Sequence, residues 1–160
     1  MAIQSQYITD KKLNEILNEQ NIQGYGEERK QDLIDRAVGD LESGICERYV
    51  VPLINADSGE YSTTPKFAQQ KVLNAVISRI RGLIGNDQMR NLVIESTQKY
   101  VDVHAADFAK HIKELLDAKK HFGFKLNDAS DGAYDPVQSL GLARADNRTR
   151  IIPDKDFPQF

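Results

Sequence analysis

Apolar residues recur at three- and four-residue spacing along most of the chain up to residue 121, a pattern that predicts successive amphipathic helices. The first starts near Thr9 or Asp10, either of which can cap exposed backbone N–H groups, and carries Leu13, Ile16 and Leu17. Asn21 to Gly26 reads as a loop, since glycine and Asn tolerate turn conformations. A second helix is expected from about Glu27 to Tyr49, with Leu33, Ile34, Ala37, Val38, Leu41 and Ile45 as its apolar stripe. Gly39 and Gly44 interrupt it, each at about 1 kcal/mol relative to Ala. They serve either a helix crossing within the chain or the close approach of a neighbouring subunit.

Pro52 ends this helix, because it lacks an N–H and disfavours helical geometry at Val51. Residues 54–64 are polar and predict an exposed loop. Pro65 suits the first turn of a third helix, with Thr63 or Thr64 as its cap. Phe67, Val72, Leu73, Val76, Ile77, Ile80, Leu83 and Ile84 make an unusually broad apolar surface, which suggests a central helix touching several others. Ile77 and Ile80 are expected in its core, and Gly85 with Asn86 as its stop. Residues 87–121 contain neither Pro nor Gly. They form one long helix, or two with a break near Val101 to His104 where β-branched neighbours lower propensity. Lys119, Lys120 and His121 suit a helix C-terminus, and Gly123 a stop.

From Asn127 to Phe160 the periodicity lapses and Asp, Gly, Ser, Pro and Arg become frequent, yet Tyr134, Val137, Leu140, Leu142, Ile151, Ile152, Phe157 and Phe160 recur. Such a segment can order on a partner, fold back over its own helices or remain disordered. The expected architecture is therefore all-α: a four- or five-helix bundle over residues 1–126, followed by an extended C-terminal docking arm over 127–160. In that arm Arg148 and Arg150 can pair with acidic groups while Ile151, Ile152, Phe157 and Phe160 enter successive pockets.

Composition narrows the function. The formal net charge is −3, which speaks against a surface built for nucleic acid. The positive run Arg144, Arg148 and Arg150 is interleaved with Asp146 and followed by Asp154 and Asp156, a mixture that favours protein contacts over a duplex track. Incidental contact with DNA at a crowded assembly stays open. Cys46, the single cysteine, cannot form an intrachain disulfide, which suits a reducing compartment, and reads as a buried structural thiol. No apolar run approaches the roughly 20 residues of a membrane helix, and Met1 to Gln6 do not resemble a signal peptide.

Candidate chemistry is sparse. His104, Asp107 and His111 share one helical face, but a metal site needs further converging ligands, so a solvated or subunit-facing stripe is the expectation. Gly24-Tyr25-Gly26 lacks the strand and remaining glycines of a phosphate loop. Asp128, Asp131 and Asp135 around Gly132 lack the alternation and terminal Glu of a calcium loop. No catalytic residue, cofactor or metal is assigned, and the chain is read as non-enzymatic.

The order of local signals carries a resemblance. Tyr7-Ile8-Thr9-Asp10 opens a short helix, and a second helix ends in Glu47-Arg48-Tyr49-Val50-Val51-Pro52-Leu53. A Pro-initiated helix then contains Ser78-Arg79-Ile80-Arg81, and a last amphipathic helix leads into His121-Phe122-Gly123-Phe124-Lys125-Leu126. Over residues 7–126 this resembles the head–tail connector (adaptor, or head-completion) proteins of tailed bacteriophages. The resemblance implies a small helical bundle, copies of which form a ring, expected to be dodecameric, under the portal protein and present a platform to a neck or tail protein. It places the chain in the virion neck after synthesis in the host cytoplasm. The extension over 127–160 departs from the family's shorter pattern. Arg48 and Tyr49 fit partner binding, Arg48 by reaching a carboxylate of a neighbouring helix and Tyr49 by offering an apolar body with a polar tip; alternatively, both lock the second helix onto the bundle. A helical DNA-packaging or regulatory protein is the alternative function, but no basic recognition helix is found to support it. A small enzyme with a site assembled from distant residues is a further one.

Overall fold

Thr9 opens the first helix as its sequence suggests: the residue is extended, and its Oγ1 accepts the backbone N–H of Lys12 at 3.3 Å. In the computed structural model, which describes residues 3–89 and 95–127, α1 then spans Asp10–Glu19, α2 Glu27–Ile45, α3 Lys66–Met89 and α4 Glu95–Leu115. A single 3-10 turn at Tyr61–Thr63 precedes α3. Among the described residues there is no strand, only two isolated antiparallel bridges, Tyr49 with Leu126 and Asn55 with Phe124. Among the described residues the fold is thus the expected all-α bundle, with four helices. No helix among the described residues is long and apolar enough to cross a membrane.

α3 lies at the centre. Ala68, Val72, Ala75, Val76, Ile80, Leu83 and Ile84 are all buried, because α2 and α4 both pack on it. Ile80 is fully buried, whereas Ile77 is only half-buried at the margin of the same cluster. Phe67, expected in this apolar surface, is 57% exposed. It lies in the first turn of α3, outside the helix crossings, with its ring tilted against Phe122. Ion pairs fasten the outside of the bundle, among them Arg79 with Asp40 on α2, Arg81 with Glu19 on α1, and Lys71 with Glu114 on α4.

Several boundaries differ from those the sequence suggests. α2 ends at Ile45 rather than Tyr49, since the N–H groups of both Arg48 and Tyr49 donate to the Ile45 carbonyl in a tight turn. Neither Thr63 nor Thr64 caps α3. Their hydroxyls donate backwards to the carbonyls of Glu60 and Tyr61, and the Pro65 carbonyl accepts the first helical bond from Gln69 N. Gly85 and Asn86 do not stop α3, which continues to Met89. A Cβ at Gly85 would stand 2.7 Å from Val101 Cγ2, so this glycine serves the crossing of α4. α4 in turn runs unbroken through Val101–His104, since packing of Val101 on α3 outweighs the modest propensity cost of its β-branch. It ends at Leu115, short of the Lys119–His121 cluster. Cys46 is exposed rather than buried, because it falls just beyond α2 with its thiol directed to the Ser43 carbonyl at 3.3 Å.

The two glycines of α2 divide between roles. A Cβ at Gly44 would meet Ile112 Cδ1 of α4 at 3.1 Å, so Gly44 permits a crossing within the chain. Gly39 is exposed and has nothing within 4 Å.

Two substitutions read out this packing. Ile80→Asp places an unpaired charge in the core and should cost on the order of 4 kcal/mol, measured by denaturant unfolding; unchanged stability would remove Ile80 from the core. Gly39→Ala should stabilise by about 0.5–1 kcal/mol, as in an open helix interior, while Gly85→Ala should destabilise by about 1–3 kcal/mol through overpacking on Val101. Equal signs for the two would contradict the crossing geometry.

Candidate functional site

After α4 the chain runs back antiparallel to the segment that joins α2 to α3. Val50 N donates to Lys125 O at 3.0 Å and Lys125 N to Ile54 O at 2.9 Å. Ala56 N reaches Gly123 O, and Asn127 N closes the far end on Arg48 O. The pairing is too irregular for a strand, but it forms a clasp across the end of the bundle. Gly123 has φ +78° and would bring a Cβ to 3.1 Å from Pro65 Cδ, so glycine is needed there for both reasons. Phe122 and Phe124 point inward, and Phe124 meets Tyr49 edge-on at 5.6 Å and stacks with Tyr61 at 6.2 Å. The alternation of buried Phe122 and Phe124 with exposed Gly123 and Lys125 is the period of an extended segment. That signal was present in the sequence but hidden behind the reading of a helix end. Asn127, expected to begin the arm, belongs to the clasp through this bond and through its Nδ2 to Cys46 O.

Arg48 and Tyr49 act inside the chain. The Tyr49 ring is buried and its hydroxyl donates to the Leu115 carbonyl at 2.7 Å. The Arg48 guanidinium donates to the carbonyls of Leu116 at 2.7 Å and Lys120 at 3.3 Å. The last carbonyls of a helix have no partner within it, and they form its negative end. The two adjacent side chains therefore cap α4 in place of the C-terminal residues a helix usually uses. Instead of a carboxylate on a neighbouring helix, Arg48 meets backbone carbonyls. Desolvation pushes the Tyr49 phenol above its ordinary pKa.

Tyr7 holds the other side of the same junction. Its hydroxyl donates to Glu42 Oε1 at 2.8 Å and accepts from the buried Leu53 N at 2.8 Å, while Gln6 Nε2 donates to Leu53 O. Burial raises its pKa strongly. The segments Tyr7–Asp10, Arg48–Leu53 and His121–Leu126 thus converge, although 46 residues separate Tyr7 from Leu53 and 66 separate Tyr49 from Leu115.

His104 and His111 do not converge with other ligands; among the described residues no group of three His, Cys, Asp or Glu side chains could hold a metal. Both half-buried rings lie at the flank of α4, with His104 edge-on to Tyr100. Desolvation lowers the pKa of each below the usual imidazole value; Arg81 adds to this at His104, and Glu114 opposes it at His111. The other expected partner-binding residues, Arg148, Arg150, Ile151, Ile152, Phe157 and Phe160, lie outside the described residues.

Two shallow surface depressions carry opposite signs. One, beside the clasp, is lined by Arg48, Lys120, His121 and Lys125 with the edges of the two phenylalanines. The other, at the N-terminal half of α2, is lined by Glu27, Glu28, Asp32 and Asp35 with Ile3 and Gln4. Both are open to solvent rather than enclosed. No family model matches the chain, and neither a curated protein nor a solved structure does.

Removing the Tyr49 hydroxyl with Tyr49→Phe leaves the Leu115 carbonyl unpaired in the core and should cost about 1–3 kcal/mol; no change on unfolding would show that water replaces it. The histidines impose a pH dependence. Their folded pKa values lie below the unfolded value, so the unfolded chain binds more protons between the two and stability falls as pH drops through that window. The loss begins near the ordinary pKa of 6.5 and is complete below the folded values. Chemical denaturation from pH 7.5 to 5 should show it, and His104→Gln with His111→Gln should flatten the imidazole component while leaving the fold intact.

Proposed function

We propose that the chain is a structural, non-enzymatic head–tail connector (adaptor) subunit of a tailed bacteriophage, forming a ring below the portal protein and joining the head to a neck or tail component. The observation that supports this most is the clasp. The three segments nearest its ends that carry the resemblance, Tyr7–Asp10, Arg48–Leu53 and His121–Leu126, build one junction, while Arg79 and Arg81 of the fourth tie α3 to α2 and α1. A rigid end on a small helical bundle suits a part that transmits position between larger assemblies. The helical fold and the paired surfaces of opposite sign accord with a subunit that contacts copies of itself on two different faces.

In this reading residues 128–160 are the docking arm, reaching the portal or a neighbouring copy from the point where Asn127 leaves the clasp. Burying an Ile or Phe anchor contributes about 1.5–3 kcal/mol, against about 1–2 kcal/mol per ordered backbone residue, so several anchors have to engage together.

The test is electron microscopy of the purified chain mixed with the portal protein of its own phage. Rings seated on the portal are the expected result; their absence would overturn the proposal. Deleting residues 128–160 should leave helical content unchanged and abolish portal binding. Retained binding with intact rings would remove the arm from the interface.

A further inference from the structure

We infer that the outer edge of the clasp, along residues 122–126, receives the arm of a neighbouring copy as an added β-strand, with Ile152 pairing on Phe124 and Arg150 on Leu126. This rests on the reading of the chain as a ring-forming subunit and names what its arm docks on.

In an antiparallel pair the backbone groups of successive residues turn alternately toward the partner and away from it. The odd positions of the returning segment face the α2–α3 connection. Gly123 O accepts from Ala56 N, Lys125 uses both its N–H and its C=O, and Asn127 N donates to Arg48 O. Phe124 and Leu126 sit at the two bridges, opposite Asn55 and Tyr49, where the opposed residues exchange no bond. Their N–H and C=O groups therefore point away from the connection. Among the described residues no hydrogen bond engages them. Such an open edge is what β-strand addition uses: main-chain bonds hold the incoming chain, and the side chains on either side set its register.

The edge is already in place before a partner arrives. Its other side is bonded, and buried Phe122 and Phe124 anchor it in the core, so little ordering is left to oppose binding. An open depression lined without a gap from Lys120 to Leu126 gives an approaching chain access to this segment.

The arm contains one stretch suited to it. Three of the four β-branched residues of 128–160 are Thr149, Ile151 and Ile152, and such residues favour strands. Antiparallel pairing with Ile152 opposite Phe124 sets Arg150 opposite Leu126 and Pro153 opposite Gly123. The Gly123 carbonyl is already taken by Ala56, so the N–H that Pro153 lacks is not needed there. Asp154 and Asp156 then run toward Lys120 and His121, which line the same depression. Within one chain this pairing would close a loop of 22 residues, 128–149, longer than compact domains usually carry. A neighbouring copy needs no such loop, and arms passed from each copy to the next make the heterologous contact that closes a ring.

The test uses the full chain with Cys46→Ser, which removes the single, exposed thiol. In that background Lys125→Cys is placed on one batch and Ile151→Cys on another. In the inferred register these positions are directly opposite at a pair that exchanges no bonds, where side chains come close enough for a disulfide. Lys125 pairs through its backbone alone and its side chain is exposed, so the clasp survives the substitution. The batches are mixed, oxidised and run on a non-reducing gel, each batch alone giving the background. A disulfide-linked pair from the mixture is the expected product. Ile152→Cys in place of Ile151→Cys turns the thiol to the opposite face and should lose most of it. Arg150→Pro, added to the Ile151→Cys chain, removes the N–H offered to Leu126 and should lose it too, with the unfolding transition of the bundle unchanged. No mixed disulfide, or equal yields from positions 151 and 152, overturns the inference. So does a disulfide that forms only within a chain carrying both Lys125→Cys and Ile151→Cys, since the edge is then filled by the chain's own arm. If rings seat on the portal while no mixed disulfide forms, this docking site fails and the connector reading stands; mixed disulfides without rings on the portal give the reverse.

Discussion

The antiparallel clasp between residues 122–127 and the α2–α3 connection is the constraint on which the rest of this structure depends. Without it, the Val50, Ala56, Lys125 and Asn127 amides would lose the carbonyls they meet across the two segments. The bonds of Tyr49 and Arg48 to the carbonyls that end α4, and of Tyr7 to Leu53, hold the same connection from its other sides. Buried backbone groups without partners are costly, which is why the connection is held from several sides.

The clasp also explains why small residues occur where they do. Gly44 lets α4 come close to α2 near the end at which Arg48 and Tyr49 reach the α4 carbonyls, and Gly85 lets the start of the same helix approach α3. Gly123 lets the returning chain pass over Pro65. α4 is thereby positioned along its length by close approaches rather than by large side chains alone. Its outer face, including the 56% exposed Val103, remains outside the core.

The same geometry separates charge. α2 presents acids at its beginning, and the clasp presents lysines just beyond its end, so the helix holds opposite charges apart at a fixed spacing.

The sequence by itself determined an all-α bundle of four or five helices, the central place of α3 and a cap at Thr9 or Asp10, because amphipathic periodicity and capping act over a few residues. Leu13, Ile16, Leu33, Leu41 and Ile80 were legible as core for that reason. Tertiary structure alone decided what Gly85, Cys46, Phe67 and Tyr49 do. Whether a glycine ends a helix or admits a neighbour depends on Val101, sixteen positions away in the chain, and Cys46 and Phe67 face solvent because no helix crosses them. Arg48 and Tyr49 were visible as a motif, but their partners are carbonyls near residues 115–120, beyond the range of any local pattern. Local propensity sets where helices form, while the pairing of their unsatisfied ends is settled only when distant segments meet.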